Sequence, residues 1–176
     1  MVRFLIVFQL LLFHTSIQGS IEDYYKYKVS PSASNYGNTG IIEIPNARFE
    51  KEASLRFNFS GSNPFEYTSL TATPFSWLEA TYRYAEIKSR KYGPFSYSGN
   101  QSFKDKGLDL KIGLIDERLY FPSVAVGIRD IAGTGMFASE YLVASKRAGN
   151  FDLSLGLGWG ILGKESGLSN PFVNIN

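Results

Sequence analysis

Cysteine is absent from the 176 residues, and histidine occurs once, at His14. The missing thiols exclude disulfides and thiolate chemistry. Charge is nearly balanced, 18 Lys and Arg against 16 Asp and Glu for a net +2, so no basic surface for nucleic acid is expected. After Gly19 no apolar run approaches the roughly 18 residues from which a spanning helix is read. What is abundant is 44% hydrophobic residues, 15% aromatics and 17 Gly, with only 7 Pro. That apolar share is too high for a disordered chain, and the aromatic and glycine content points to short strands. The length suits one domain.

Met1–Gly19 has the layout of a secretory signal peptide: Arg3, an apolar stretch from Phe4 to Phe13 broken only by Gln9, then a polar end at Gly19. Its apolar core of about ten residues is too short to span a bilayer. Cleavage near Gly19–Ser20 removes His14, which excludes Ser–His–Asp and Cys–His catalysis and His/Cys zinc sites. Carboxylate chemistry or no chemistry remains, with no metal or cofactor expected. Without cysteine, no lipid can be attached to a thiol at the new terminus.

Beyond the leader the period is two. Ala53–Ser60 sets Leu55, Phe57 and Phe59 against Ser54, Arg56 and Asn58. Leu78–Ile87, Leu108–Ile115 and Phe151–Gly160 alternate in the same way. Phe65–Thr73, Ser123–Ile131 and Glu140–Lys146 are weaker, and the last is apolar on both faces. Alternation of this length predicts seven strands. Long polar connections, Lys88–Gly107 and Ala132–Phe137, alternate with short ones, Pro74–Trp77, Asp116–Pro122 and Ala148–Asn150. Outer-membrane barrels have this asymmetry of loops and turns.

The expected fold is therefore all-β: an antiparallel up-and-down transmembrane β-barrel of seven to eight visible strands, part of a larger barrel, following a signal peptide. Residues 20–52 form a leading segment and 53–176 an incomplete barrel portion. Two features favour an inside-out sheet with its greasy row on lipid. The polar rows are unusually small (Gly113, Gly127, Ser154, Gly156 and Gly158), and aromatics gather at strand ends (Phe65, Phe75, Trp77, Tyr120, Phe121, Phe151 and Trp159). A closed bacterial barrel needs an even number of strands, at least about eight. Either 170–176 adds a strand or the chain is the front of a longer protein.

Two stretches carry a resemblance. Asn35–Arg48 (NYGNTGIIEIPNAR) matches through Gly37, Thr39, Gly40, Pro45 and Ala47, and Val124–Lys146 through Arg129-Asp130, Gly133-Thr134-Gly135 and Ser139-Glu140-Tyr141. Over about residues 36–163 the chain resembles the YjbH/GfcD type of exopolysaccharide-associated outer-membrane protein. The resemblance implies an outer-membrane barrel serving capsule or exopolysaccharide assembly or export, in contact with polysaccharide and other secretion components. It implies a chain several times longer than this one and no catalytic residues.

On that reading Arg56, Thr81, Arg83, Lys111 and Arg129 line a hydrated lumen, the four cations being candidates for polymer contact. Arg129 has an ordinary alternative, a salt bridge to Glu79 or Asp152. Asp130, on the parity of Val126 and Ile128, is expected at the lipid-facing rim. Gly133-Thr134-Gly135 reads as a tight turn rather than a phosphate cradle. Lys88, Arg90, Tyr92 and Tyr97 mark an outer loop able to stack on sugars or bind an anionic polymer. The competing readings are a secreted soluble β-barrel binding module, a generic porin, and a glycosidase built on Glu79/Glu86 or Asp109/Asp116.

Overall fold

A computed structural model describes residues 31–163. The leader expected over Met1–Gly19 and the eighth strand weighed over 170–176 both lie outside the described residues. Two-residue strands β1 (Gly40–Ile41) and β2 (Ile44–Pro45) pair only with each other. There follow β3 (Ser54–Ser62), β4 (Phe65–Phe75), β5 (Leu78–Lys91), β6 (Ser102–Ile115), β7 (Ser123–Arg129), β8 (Ser139–Ala148) and β9 (Phe151–Gly158). These seven form one antiparallel meander in sequence order, with β3 and β9 at its edges. One helical turn, α1 (Phe95–Ser98), caps the β5–β6 connection.

All seven strands expected from alternation are present. The stretch Lys88–Gly107 is not the long loop expected of it. Its ends extend β5 and β6 to 14 residues each, through pairs such as Glu86↔Lys104 and Ala85↔Asp105, and only 92–101 connects them. Lysines on one row and Asp105 on the other hid the period, because both rows are polar there. Lys88 and Arg90 thus stand on strand rather than loop.

The sheet curls, and its two faces are chemically inverted relative to a water-soluble sheet. The convex row is apolar and open: Phe57 is 71% exposed, Leu55 69% and Leu155 82%. Register joins it across strands, as in Phe57↔Leu70↔Tyr82↔Leu108 and Ile112↔Val126↔Leu142↔Leu157. The concave row is polar and buried: Thr71, Glu79, Thr81, Arg83, Asp109, Lys111 and Ser145 are almost inaccessible. Phe75 stacks on Trp77 with centroids 5.5 Å apart, and with Tyr120, Phe121 and Phe151 they form an exposed aromatic rim at the short-turn end. Phe65 does not join a rim; it packs inward against Tyr67 and Phe137.

The concave face is filled. Residues 31–50 lie across it, packing in two apolar clusters, Tyr36 with Tyr67, Ile87 and Phe137 at one end and Ala47 and Phe49 with Ala125, Tyr141 and Val143 at the other. The small concave-row residues leave space for large neighbours rather than for water. Opposite Tyr141 stands Gly127, where a β-carbon would lie 2.2 Å from the tyrosine ring. A close approach of that kind admits only glycine.

Gly127→Ala is expected to destabilise the protein by about 1–3 kcal/mol through overpacking. Combining it with Tyr141→Ser should cost less than the two changes summed, measured as urea midpoints in a double-mutant cycle. Strict additivity would mean that the glycine is not kept small by the ring.

Candidate functional site: the polar interior

β5 and β6 place Glu79 directly opposite Lys111, and their charged atoms meet at 3.0 Å with both side chains inaccessible. Buried charges are tolerable only when paired and hydrogen-bonded. The leading segment completes this pair. Glu79 accepts the Thr39 N–H at 3.0 Å and the Thr39 hydroxyl, while Lys111 donates to the carbonyls of Thr39 at 3.3 Å and Arg48 at 2.7 Å. Lys111 also stands 4.5 Å from the centroid of the Phe49 ring.

A second station centres on Arg83. Its guanidinium faces Asp130 at 3.5 Å and Asp109 at 3.8 Å, beneath the rings of Phe137 and Tyr36. Asp130 is not at a lipid-facing rim. Its φ of 63° reverses the parity of β7 at its end and turns the carboxylate inward, where it accepts the Phe137 N–H at 3.1 Å. Asp109 accepts the Asp130 N–H at 2.9 Å, and Asp105 the Thr134 N–H at 3.3 Å. The Gly133-Thr134-Gly135 turn is therefore folded over the interior.

Arg129 donates to the Glu43 carbonyl at 3.2 and 3.3 Å and lies over Tyr36 at 4.8 Å and Tyr141 at 5.6 Å. It pairs with neither Glu79 nor Asp152, since Lys111 holds the first and Arg48 the second. Arg56 pairs with Glu50 and donates to the Gly37 carbonyl at 2.9 Å, which also accepts the Thr71 hydroxyl at 2.9 Å. Thr81 joins this row through a 2.9 Å contact with Thr71. Gly37, at φ 95°, presses so close to Ser69 that a β-carbon would overlap its side chain.

The structure thus brings Arg56, Thr81, Arg83, Lys111 and Arg129 together on one face, as expected from parity. It places protein over them where a hydrated lumen was expected. Lys88, Arg90, Tyr92 and Tyr97 lie apart from this interior, on the projecting β5–β6 hairpin. Lys88 is paired with Glu66, and Arg90 covers Phe103 at 4.3 Å. The carboxylate pairs considered for glycosidase chemistry do not converge. Glu79 and Asp109 point inward, while Glu86 lies opposite Lys104 on the convex row and Asp116 is exposed beyond β6. Seven residues along a strand separate each pair by about 23 Å.

At the short-turn end the segment is tied down by Arg48, which binds Asp152 at 2.5 Å and Glu117 at 2.5 Å. Lys146 reaches Glu117 at 2.9 Å, and the Arg147 N–H donates to it at 2.8 Å. Burial alone would raise the Glu117 carboxyl; Lys146, the Arg147 N–H and Arg48 outweigh it and hold the group below the ordinary carboxylate range. At the opposite end burial, reinforced by Glu43, pushes the Tyr36 phenol upward against the pull of Arg129. Between the hairpin of β1 and β2 and the edge strand lies a groove of about 180 Å³, lined by Ile44, Pro45, Tyr141, Val143, Ser154 and Gly156.

The interior network was missed from sequence because its second half is irregular backbone. Glu43 and Arg48 contribute carbonyls, and carbonyl positions leave no residue signature. The available signal was the run Gly37–Gly40, whose glycines and threonine fit neither strand alternation nor a helix.

The profile described as "Exopolysaccharide biosynthesis protein YbjH" matches residues 32–176. The chain is 45% identical over 151 residues, 85% of its length, to "Uncharacterized lipoprotein YjbH" of Escherichia coli (strain K12). It spans 22% of that relative's length. No solved structure shows significant similarity.

The Glu117 station makes an acid-side prediction. A carboxyl lowered on folding stabilises the protein above its unfolded-state pKa, and the gain disappears as pH falls through the folded value. Wild type should therefore exceed Glu117→Gln in denaturation midpoint at neutral pH, with the two converging in acid. Parallel pH profiles would show that Arg48 and Lys146 do not act on this carboxylate.

Proposed function

The chain belongs to the YjbH family of exopolysaccharide biosynthesis proteins, and on that premise we propose that it forms part of an outer-membrane β-barrel with a passive, non-catalytic role in exopolysaccharide or capsule assembly or export. The observation that carries this reading is the inversion of the sheet. Leu55, Phe57, Phe59, Leu70, Leu108, Ile112, Ile128, Leu142, Leu153, Leu155 and Leu157 all stand open on the convex side, while Glu79, Arg83, Lys111 and Arg129 are enclosed. A water-soluble protein rarely exposes a contiguous apolar face of that extent. Hydrocarbon covers it at no cost, and strands of seven to 14 residues bracket the roughly 9–11 that a tilted spanning strand needs. The exposed aromatics at one end suit a lipid–water boundary.

The name of the E. coli relative, a lipoprotein, supports an exported, membrane-associated setting. In this proposal the convex face supplies a membrane contact. Polymer contact falls to the β5–β6 hairpin, where Tyr92 and Tyr97 are 50% and 81% exposed beside Lys88 and Arg90. Flat rings and nearby cations suit sugar faces and acidic substituents. Arg56, Arg83, Lys111 and Arg129 meet polymer in this scheme only when the segment above them moves.

Leu110→Arg, on the convex row next to Ala80 and Ile128, is expected to cost about 2–4 kcal/mol of folding in vesicles if that position lies near mid-bilayer. Flotation of the full-length protein with vesicles provides the readout. A protein that stays in the aqueous fraction and tolerates the arginine would favour the soluble-barrel alternative. Tyr92→Ala with Tyr97→Ala should leave flotation unchanged and weaken retention of the cell's own exopolysaccharide several-fold; unaltered retention would remove the hairpin from polymer contact.

A further inference from the structure

We propose that residues 34–49 are a displaceable plug over a passage suited to a hydroxyl-rich chain, an inference that rests on the membrane-barrel reading. The segment contributes no strand to the seven-stranded sheet. Its pairing is internal, between β1 and β2 and between Ala33 and Thr39, and residues 51–53 tether it to β3. It can therefore leave the wall without breaking a ladder.

What holds it is mainly polar: Thr39 on Glu79, Lys111 on two carbonyls, Arg129 on the Glu43 carbonyl, the Ala47 N–H on Ser145 Oγ at 2.9 Å, and Arg48 on Glu117 and Asp152. Each such bond holds the segment, more strongly where a charge takes part, but its loss on release is partly offset because water offers competing partners. The docked state also leaves polar atoms poorly matched. Arg83 Nε and Arg129 Nε are buried without a hydrogen-bond partner among the described residues, and Arg83 Nη1 and Asp109 Oδ2 meet only as an ion pair at 3.8 Å. Hydration on release would satisfy them. The aromatic seat of Tyr36, with ring centroids 5.0 Å from Tyr67 and 6.0 Å from Phe137, opposes release and keeps the closed state dominant.

Once uncovered, the wall presents Arg56, Arg83, Lys111 and Arg129 with Glu79, Asp105, Asp109 and Asp130. That balance disfavours selection for ions of one sign. Donors and acceptors in alternation match hydroxyl groups, which do both.

The absence of cysteine makes the test clean. The full-length protein carrying Ala47→Cys and Ser145→Cys is reconstituted in a planar bilayer and its conductance compared oxidised and reduced, with flotation confirming insertion. The oxidised form should stay shut, and reduction should restore openings at least as frequent as those of wild type, since Ser145→Cys also gives up the bond from the Ala47 N–H. Thr39→Val, which keeps the segment's shape but loses the hydroxyl contact to Glu79, should raise open probability about tenfold. Its reversal potential in a KCl gradient should lie near zero. Inserted protein whose conductance ignores both the crosslink and Thr39→Val would overturn the plug while leaving the membrane reading intact. Strong selectivity for one ion sign would overturn the assignment of a hydroxyl-rich solute. Protein that fails to float at all would remove the membrane reading and the plug together.

Discussion

Charge burial on the concave side of the sheet is the constraint from which the rest follows. An ionised side chain removed from water needs an opposite charge and filled hydrogen-bonding positions. The strands supply some of this across their ladders, as in Glu79 opposite Lys111. They cannot supply all of it, since alternate residues of neighbouring strands offer side chains but no free backbone groups. Residues 31–50 bring what is missing: an irregular backbone whose N–H and C=O groups are not engaged in the sheet. The same requirement sets the glycines, because a backbone lying on a wall leaves no space for a β-carbon at Gly37.

The convex side follows by complement. With the polar row committed inward, the period of two sends Leu, Ile, Val and Phe outward, and Phe57, Leu70, Tyr82 and Leu108 become lateral neighbours. Neither side resembles the surface of a soluble sandwich, where the greasy row is covered and the charged row is wet. The chain that carries this inversion belongs to the YjbH family of exopolysaccharide biosynthesis proteins.

Much of the fold was legible in the sequence because strand alternation is a local signal. Phe151–Gly158 needed nothing beyond its own residues. The direction in which each row faces had a partial signal, since the polar rows set Gly113, Gly127, Ser154, Gly156 and Gly158 among their charged residues. The reason for those small residues was misread. Gly127 suggested a wet channel, whereas it makes way for Tyr141. β5 and β6 were read too short because Lys88, Lys104, Asp105 and Lys106 make both rows polar near the hairpin. Asp130 escaped because a single left-handed residue inverts parity and leaves only a weak trace in the residue types. Among the site residues, the sequence placed the five wall positions on a shared face, but several of their partners are backbone carbonyls 19 to 86 residues away, as in Arg56 on Gly37, Lys111 on Thr39 and Arg48, and Arg129 on Glu43.

The tether at residues 51–53 has a consequence for the order of assembly. Each strand of the meander pairs with its immediate successor, so the wall forms through contacts close in sequence. The leading segment is synthesised first, yet Ala47 meets Ser145 across 98 positions and Arg48 meets Asp152 across 104. Closing loops of that size is entropically the slowest kind of contact formation. A segment made before its cradle thus seats after it, and must remain soluble and unspent until the strands that follow have been built.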